Sequence, residues 1–185
     1  MKHTTLFISL ITTLLFLLSI PLVWSDSDHL DEYKRKSVGF EILNNTEYST
    51  ECGSCHMAYP SSLLAASSWA RMMGQLDNHF GDNAELSSQE VHNSILHYLL
   101  NNSADQSRLR MVRKMQKSVD IHNSPLRITQ LPYFIHEHNE IPQSMISNNP
   151  QVNSLSHCNA CHKKAEQGLF DEHSINIPGF GRWDD

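Results

Sequence analysis

Two short stretches, Cys52-Gly53-Ser54-Cys55-His56 and Cys158-Asn159-Ala160-Cys161-His162, hold all four cysteines of the chain. Each carries two thiols three positions apart and a histidine directly after the second. That set meets three needs of a c-type haem at once. The thiols add to the two vinyl groups of the porphyrin and become thioethers, and the adjacent imidazole reaches the iron as its proximal ligand. Rival chemistries fit less well. Ribbon-type zinc sites keep their C-x-x-C pairs about 15–20 residues apart, whereas Cys55 and Cys158 are 103 positions apart. Zinc would not require the two trailing histidines either. A thioredoxin-type redox pair needs strand–helix–strand surroundings, and no such alternation is visible. The sequence therefore predicts two covalently bound haem c groups, with Cys52, Cys55, His56, Cys158, Cys161 and His162 as the attachment and proximal residues.

The sixth ligand of each iron then decides the chemistry. A second histidine lowers the potential relative to a methionine, and an empty position would open the iron to oxygen, nitric oxide or peroxide. Besides His3 and the proximal pair, nine histidines remain: His29, His79, His92, His97, His122, His136, His138, His157 and His173. His79 ranks first, at the end of an apolar segment and beside Phe80. A helix-terminal histidine facing free carbonyls is its bland alternative. His138 ranks second, and spacing does not exclude His136 two residues away. His157 adjoins Cys158 and is too constrained to cross its own haem, while His92 and His97 read as solvated and His173 stays open. Met57 follows His56 directly, and Met72 and Met73 have the spacing of core residues.

The elements that must position these groups are mainly helical. Leu63, Leu64, Trp69, Met72, Met73 and Leu76 recur at helical spacing, predicting a helix over 61–80 that Gly81 and Asp82 end. Ser87 and Glu90 resemble a capping box ahead of a helix with Val91, Ile95, Tyr98 and Leu99 on one side. It breaks at Asn101, Asn102 and Ser103. A basic run with Arg108, Arg110, Arg113, Lys114 and Lys117 predicts a short helix with an exposed charged side. Pro125, Pro132, Pro142 and Pro150 predict a loop over 121–153, and Lys163 to Phe170 predicts a turn or two ended at Gly168. No strand pair is evident, and the tail after Pro178 reads as irregular. Two porphyrins supply much of the core, so little regular structure is required. The expectation is a mainly α protein with extensive irregular loops and little or no β-sheet, compact and two-lobed with one haem per lobe. Residues 26–105 form the N-terminal haem lobe and 106–185 the C-terminal one, packed as a unit.

Ahead of these lies an export signal over 1–25. Lys2 and His3 precede an apolar run from Leu6 to Trp24, with Val23 and Ser25 at the −3 and −1 positions of a cleavage site. The run also approaches the length that spans a bilayer, so a retained N-terminal anchor is the alternative. Either route places the remainder outside the cytoplasm, in the periplasm. With Lys2 removed, the 14 basic residues become 13 against 20 acidic ones, a formal charge of −7 with histidine neutral. That argues against nucleic acid as a partner.

Beyond the pentads, the chain carries Glu51 before Cys52, then Ala58-Tyr59-Pro60, Leu64, Ser68 and Trp69. Leu76-Asp77-Asn78-His79-Phe80-Gly81-Asp82-Asn83-Ala84, Pro125-Leu126-Arg127-Ile128-Thr129, Pro132-Tyr133-Phe134 and His138-Asn139-Glu140-Ile141-Pro142 follow. The second pentad continues as Lys163-Lys164-Ala165-Glu166-Gln167-Gly168. In these blocks the sequence resembles the small exported dihaem cytochromes c of proteobacteria, over about 51–178. The resemblance implies two low-spin, low-potential haems, an electron-transfer role, and His79 and His138 as distal iron ligands; which serves which haem it leaves open. It also implies, by analogy, redox partners: a monohaem oxygen-binding c-type cytochrome and a b-type membrane cytochrome.

Three functions compete on this basis. The first is a single-electron carrier between a membrane-associated donor and a soluble haem protein, with no enzymatic activity of its own. In that reading the basic run from Arg108 to Lys117 either docks an acidic partner or forms a solvated helix face. The second is a small dihaem enzyme of peroxidase or nitrogen-oxide reductase type, with one open iron and Glu137, Glu140 or His136 as distal acid or base. The third is a redox or gas sensor in which His138 leaves its iron on reduction.

Overall fold

The computed structural model describes residues 39–41, 45–120 and 123–183. The expected signal segment, His29 and His122 lie outside them. Helix α1 (Thr46–Glu51) starts where the Asn45 side chain accepts the Tyr48 N–H at 2.7 Å, an N-cap that satisfies a donor the helix cannot. The apolar stretch after the first pentad divides into a 3-10 turn at Ser61–Leu63, α2 (Ala66–Met73) and a second 3-10 turn at Leu76–Asn78. The single helix expected over 61–80 is thus corrected: Leu64 and Ala65 are extended and Gly74 caps α2. The residues singled out for the core were nonetheless sound. Leu63, Leu64, Trp69 and Met73 are buried, with Met72 and Leu76 packed against them. A helical period survives a short break because the extended residues restart it nearly in phase. Trp69 donates its indole N–H to the Ser61 carbonyl at 2.7 Å, which lets the largest side chain sink without an orphan donor.

Helix α3 (Gln89–Asn101) buries Ile95 and Leu99 against α2. Its cap is Ser88, whose hydroxyl accepts from the Val91 N–H at 3.2 Å, and Ser87 instead donates to Glu51 at 2.8 Å. Helix α4 (Arg110–Gln116) buries Val112 and Met115 and exposes Arg113 and Lys114, as the basic run predicted. The stretch expected to be loop holds a 3-10 turn at Ile128–Gln130, helix α5 (Pro132–His138) and another turn at Gln143–Met145. Pro132 stands in the first turn of α5, where a missing N–H costs nothing and a fixed φ helps. That is why a proline-based loop assignment fails there. Helix α6 (Cys158–Cys161) is the second pentad itself. The tail pairs β1 (Asn176–Ile177) with β2 (Gly181–Arg182) antiparallel, Asn176 opposite Arg182. This two-residue ladder is the structure's only named sheet among the described residues.

The described residues belong to one compact unit. Ser68 donates to the Pro125 carbonyl at 2.8 Å, and Arg71 donates to the Ser124 carbonyl. The Phe40 N–H reaches the Gly168 carbonyl at 2.7 Å. Gly168 has φ 74°, and a Cβ there would sit 2.6 Å from the Phe40 oxygen, so only glycine allows that crossing.

Candidate dihaem centre

The first pentad leaves α1 through Cys52, which is half-buried, while Cys55 is exposed. Gly53 is forced: a Cβ there would lie 2.2 Å from the Ser49 carbonyl oxygen. His56 donates Nδ1–H to the Met57 carbonyl at 2.7 Å, which leaves Nε2 with its lone pair. Tyr59 stacks on His56 at 4.7 Å and 20°. Across a gap stands His79, its ring centroid 6.3 Å from that of His56 and the planes 24° apart. His79 follows the 3-10 turn at Leu76–Asn78 and is held by reciprocal backbone bonds with Asp82, at 2.7 and 3.2 Å. Between them Phe80 has φ 58° and Gly81 φ 109°. The Arg127 guanidinium lies 3.8 Å above the Phe80 ring. Burial, then His56 and Arg127, hold the His79 imidazole below its ordinary pKa.

The second centre repeats the arrangement with other parts. His162 caps α6, its N–H bonded to the Cys158 carbonyl at 2.8 Å. Opposite it is His138, at the end of α5, with a centroid separation of 6.2 Å and planes 66° apart. Its Nδ1–H donates to the Phe134 carbonyl one helical turn back at 2.8 Å, and the Phe134 ring stacks on it at 3.9 Å and 8°. The surrounding cavity is apolar, walled by Met111, Ile128, Ile146, Leu155, Ile177 and Phe170. Burial, reinforced by His138, pushes the His162 pKa down to about 4, so that imidazole stays neutral. Its buried Nδ1 has no hydrogen-bond partner among the described residues. Burial pushes the Cys52 and Cys158 thiols each up to about 11.

Tyr59 reaches from the first centre toward the second pentad. Stacked on His56, it donates its hydroxyl to the Ser156 carbonyl at 2.6 Å, two residues before Cys158. Burial and then Cys158 push its phenol up to about 12.

Of the remaining described candidates, His157 and Glu137 line the second cavity and the others are held elsewhere. His92 bonds the Met73 carbonyl and His97 bonds Asn101; His173 lies beside Glu172. His136 is exposed, and Met57 and Met73 are buried. His157 lines the second cavity with its Nδ1 on the Val152 carbonyl at 2.7 Å. Glu137 also lines it, and Glu140 is exposed. No group of three or more His, Cys, Asp or Glu converges as a metal site among the described residues, so the two cysteine pairs are not brought together. Tyr59 and Phe134 are site residues that sequence reasoning missed as such. The signal for Phe134 was its i−4 spacing from His138, legible only once α5 is read as a helix.

Two trans imidazoles, each about 2.0 Å from a metal through one nitrogen, put their ring centroids about 6.3 Å apart. Both observed separations match that span, and Cys158 and Cys161 line the cavity that His138 and His162 share. The residues present fit two haem c groups. A mainly helical chain with two such centres is a c-type cytochrome of the dihaem class. The chain belongs to the dihaem cytochrome c family, whose model matches residues 48–170, and it is a dihaem electron-transfer protein. It is similar to a diheme cytochrome type c from Shewanella baltica OS155 known from an X-ray structure, at 45% identity and TM-score 0.63, over 77% of this chain and all of that one. A diheme cytochrome c from Rhodobacter sphaeroides shows 40% identity and TM-score 0.59, over 70% of this chain and 98% of that one. No curated protein sequence matches the chain.

Proposed function

We infer that the chain is an exported single-electron carrier with two bis-histidine haems, not an enzyme. Cys52 and Cys55 hold the first haem and Cys158 and Cys161 the second. His56 and His79 take the two faces of the first iron, His162 and His138 those of the second. The observation that carries this reading is the pair of centroid separations, 6.3 and 6.2 Å, set by residues far apart in sequence. Haem supplies a one-electron ferric–ferrous couple, and bis-imidazole ligation gives it a low potential. The chain's part is to aim four imidazoles and to exclude water from the second centre with an apolar wall.

The enzyme alternative needs an iron without a second imidazole, and the His56–His79 and His138–His162 spacings favour two ligated irons instead. Residues 1–25 would direct export to the periplasm, with membrane attachment only through their retention. The family analogy favours a b-type membrane donor and a monohaem c-type acceptor. The exposed Arg113 and Lys114 of α4, the latter 4.7 Å above the Tyr133 ring, are the proposed docking charges. The 26–105 and 106–185 halves would each carry one haem.

Electron paramagnetic resonance of the oxidised holoprotein tests the ligation. Two low-spin signals without a high-spin fraction are expected. A high-spin component near one equivalent would hand the reading to the enzyme alternative.

A further inference from the structure

The two distal imidazoles are restrained to very different degrees. His138 is fixed by its Nδ1 bond to the Phe134 carbonyl and by the parallel Phe134 ring, itself only 9% exposed. Moving His138 therefore means unpacking a buried aromatic and the end of α5. His79 has neither restraint. No group among the described residues accepts a hydrogen bond from its ring nitrogens. Its ring neighbour Phe80 is tilted at 58° and 42% exposed. Phe80 also adopts the left-handed conformation at φ 58°, which a bulky side chain holds only under strain. Asn78, Phe80, Gly81 and Asp82 are all exposed, so this turn can rotate without disturbing the core. On the other face, His56 is anchored by the Met57 carbonyl and would keep its hold.

Resting on the ligation inferred above, we propose that the His79 position is a conditional binding site for small diatomic π-acceptor ligands. The His138 position is closed to them. In the exchange the bond from His79 Nε2 to the iron breaks, its electron pair returns to the ring, and the carbon of carbon monoxide or cyanide bonds in its place. No electron or proton is consumed. The apparent affinity is the intrinsic one multiplied by the fraction of molecules with His79 swung away, so binding is weak and paced by His79 release. This reverses the sensor expectation, which had put the departing ligand at His138.

The test mixes dithionite-reduced holoprotein with carbon monoxide in a stopped-flow spectrometer. The expected Soret change corresponds to one haem of two, with a rate that levels off as carbon monoxide rises. In His79→Ala the plateau disappears, the rate becomes proportional to carbon monoxide, and the stoichiometry stays at one. A second measurement needs no variant. Cyanide added to the oxidised wild-type protein should erase the low-spin resonance of the haem with near-parallel ligand planes and spare that of the crossed pair, because plane orientation sets the splitting of the iron d orbitals. No spectral change at saturating carbon monoxide, with both irons low-spin, overturns the proposal and leaves the ligation standing. A plateau that persists in His79→Ala, or loss of the crossed-plane signal, places the opening at the wrong haem and overturns it too. A high-spin iron in the untreated oxidised protein sinks the ligation and this inference together.

Discussion

His79 and His138 stand 6.3 and 6.2 Å from their facing imidazoles, yet the chain reaches that common spacing by opposite means. His138 rides on a helix whose first turn is pre-set by Pro132 and whose Phe134 locks the imidazole plane. His79 sits on an exposed four-residue turn with a strained centre. The lesson is that distance alone does not define an axial ligand. On the ligation proposed above, the stiffness of what carries each imidazole would set whether its iron is only a redox centre or also a binding site. The surroundings follow the same division: apolar walls enclose the second gap, while the first has Arg127 stacked on an exposed phenylalanine.

The largest expected effect tests that division directly. Phe134→Ala removes a buried ring and should cost about 3–5 kcal/mol, measured by guanidinium unfolding of the holoprotein, and should alter the resonance of the crossed-plane haem. Phe80→Ala deletes an exposed ring and its cation–π contact, and should cost about 1 kcal/mol or less. Equal costs would erase the distinction between clamp and turn.

An acid titration comes next in size. The folded His162 pKa lies near 4, below the unfolded value of about 6.5. The unfolded chain therefore binds the proton first as pH falls. Iron coordination, as proposed, would hold that imidazole unprotonated more strongly still, so stability present above about pH 6.5 should decline as pH falls toward and below 4. His79 is displaced in the same direction, and any bond from its nitrogen to iron opposes protonation further. The two centres should nevertheless part company in the ferric spectrum. The near-parallel haem is expected to lose its low-spin signal at a higher pH than the crossed one, because only the second has a clamped ligand. Simultaneous loss would show that the turn holds His79 as firmly as α5 holds His138.

Much of this was legible in the sequence, and the failures have physical causes. The pentads announce their chemistry because a covalent cofactor demands fixed residue types at fixed spacing. Val91, Ile95, Tyr98 and Leu99 reveal α3 because a half-buried helix must repeat its apolar side. The 121–153 stretch misled because proline opens a helix as readily as it breaks one. Ser87 and Ser88 differ only in which hydroxyl reaches an N–H three residues on, a matter of a single residue's register. Pairing His56 with His79 and His162 with His138 required coordinates, since nothing local encodes which imidazole faces which. The β1–β2 ladder is two residues long, too short for an alternating pattern to register.

The smallest expected effect concerns Tyr59, which stacks on His56 and bonds the Ser156 carbonyl near the second pentad. Tyr59→Phe keeps the stack on His56 and removes only the hydroxyl bonded to the Ser156 carbonyl. A single such bond contributes about 0.5–1.5 kcal/mol, and the carbonyl left behind keeps part of its hydration cost. Folding stability should therefore fall by about 1 kcal/mol, while both low-spin signals stay in place. If the hydroxyl also couples the centres, electron exchange between them, followed by flash photoreduction, should slow in Tyr59→Phe with neither potential shifted. An unchanged rate with the same stability loss would make Tyr59 a strut between the two sites and nothing more, and the centres would then communicate through space.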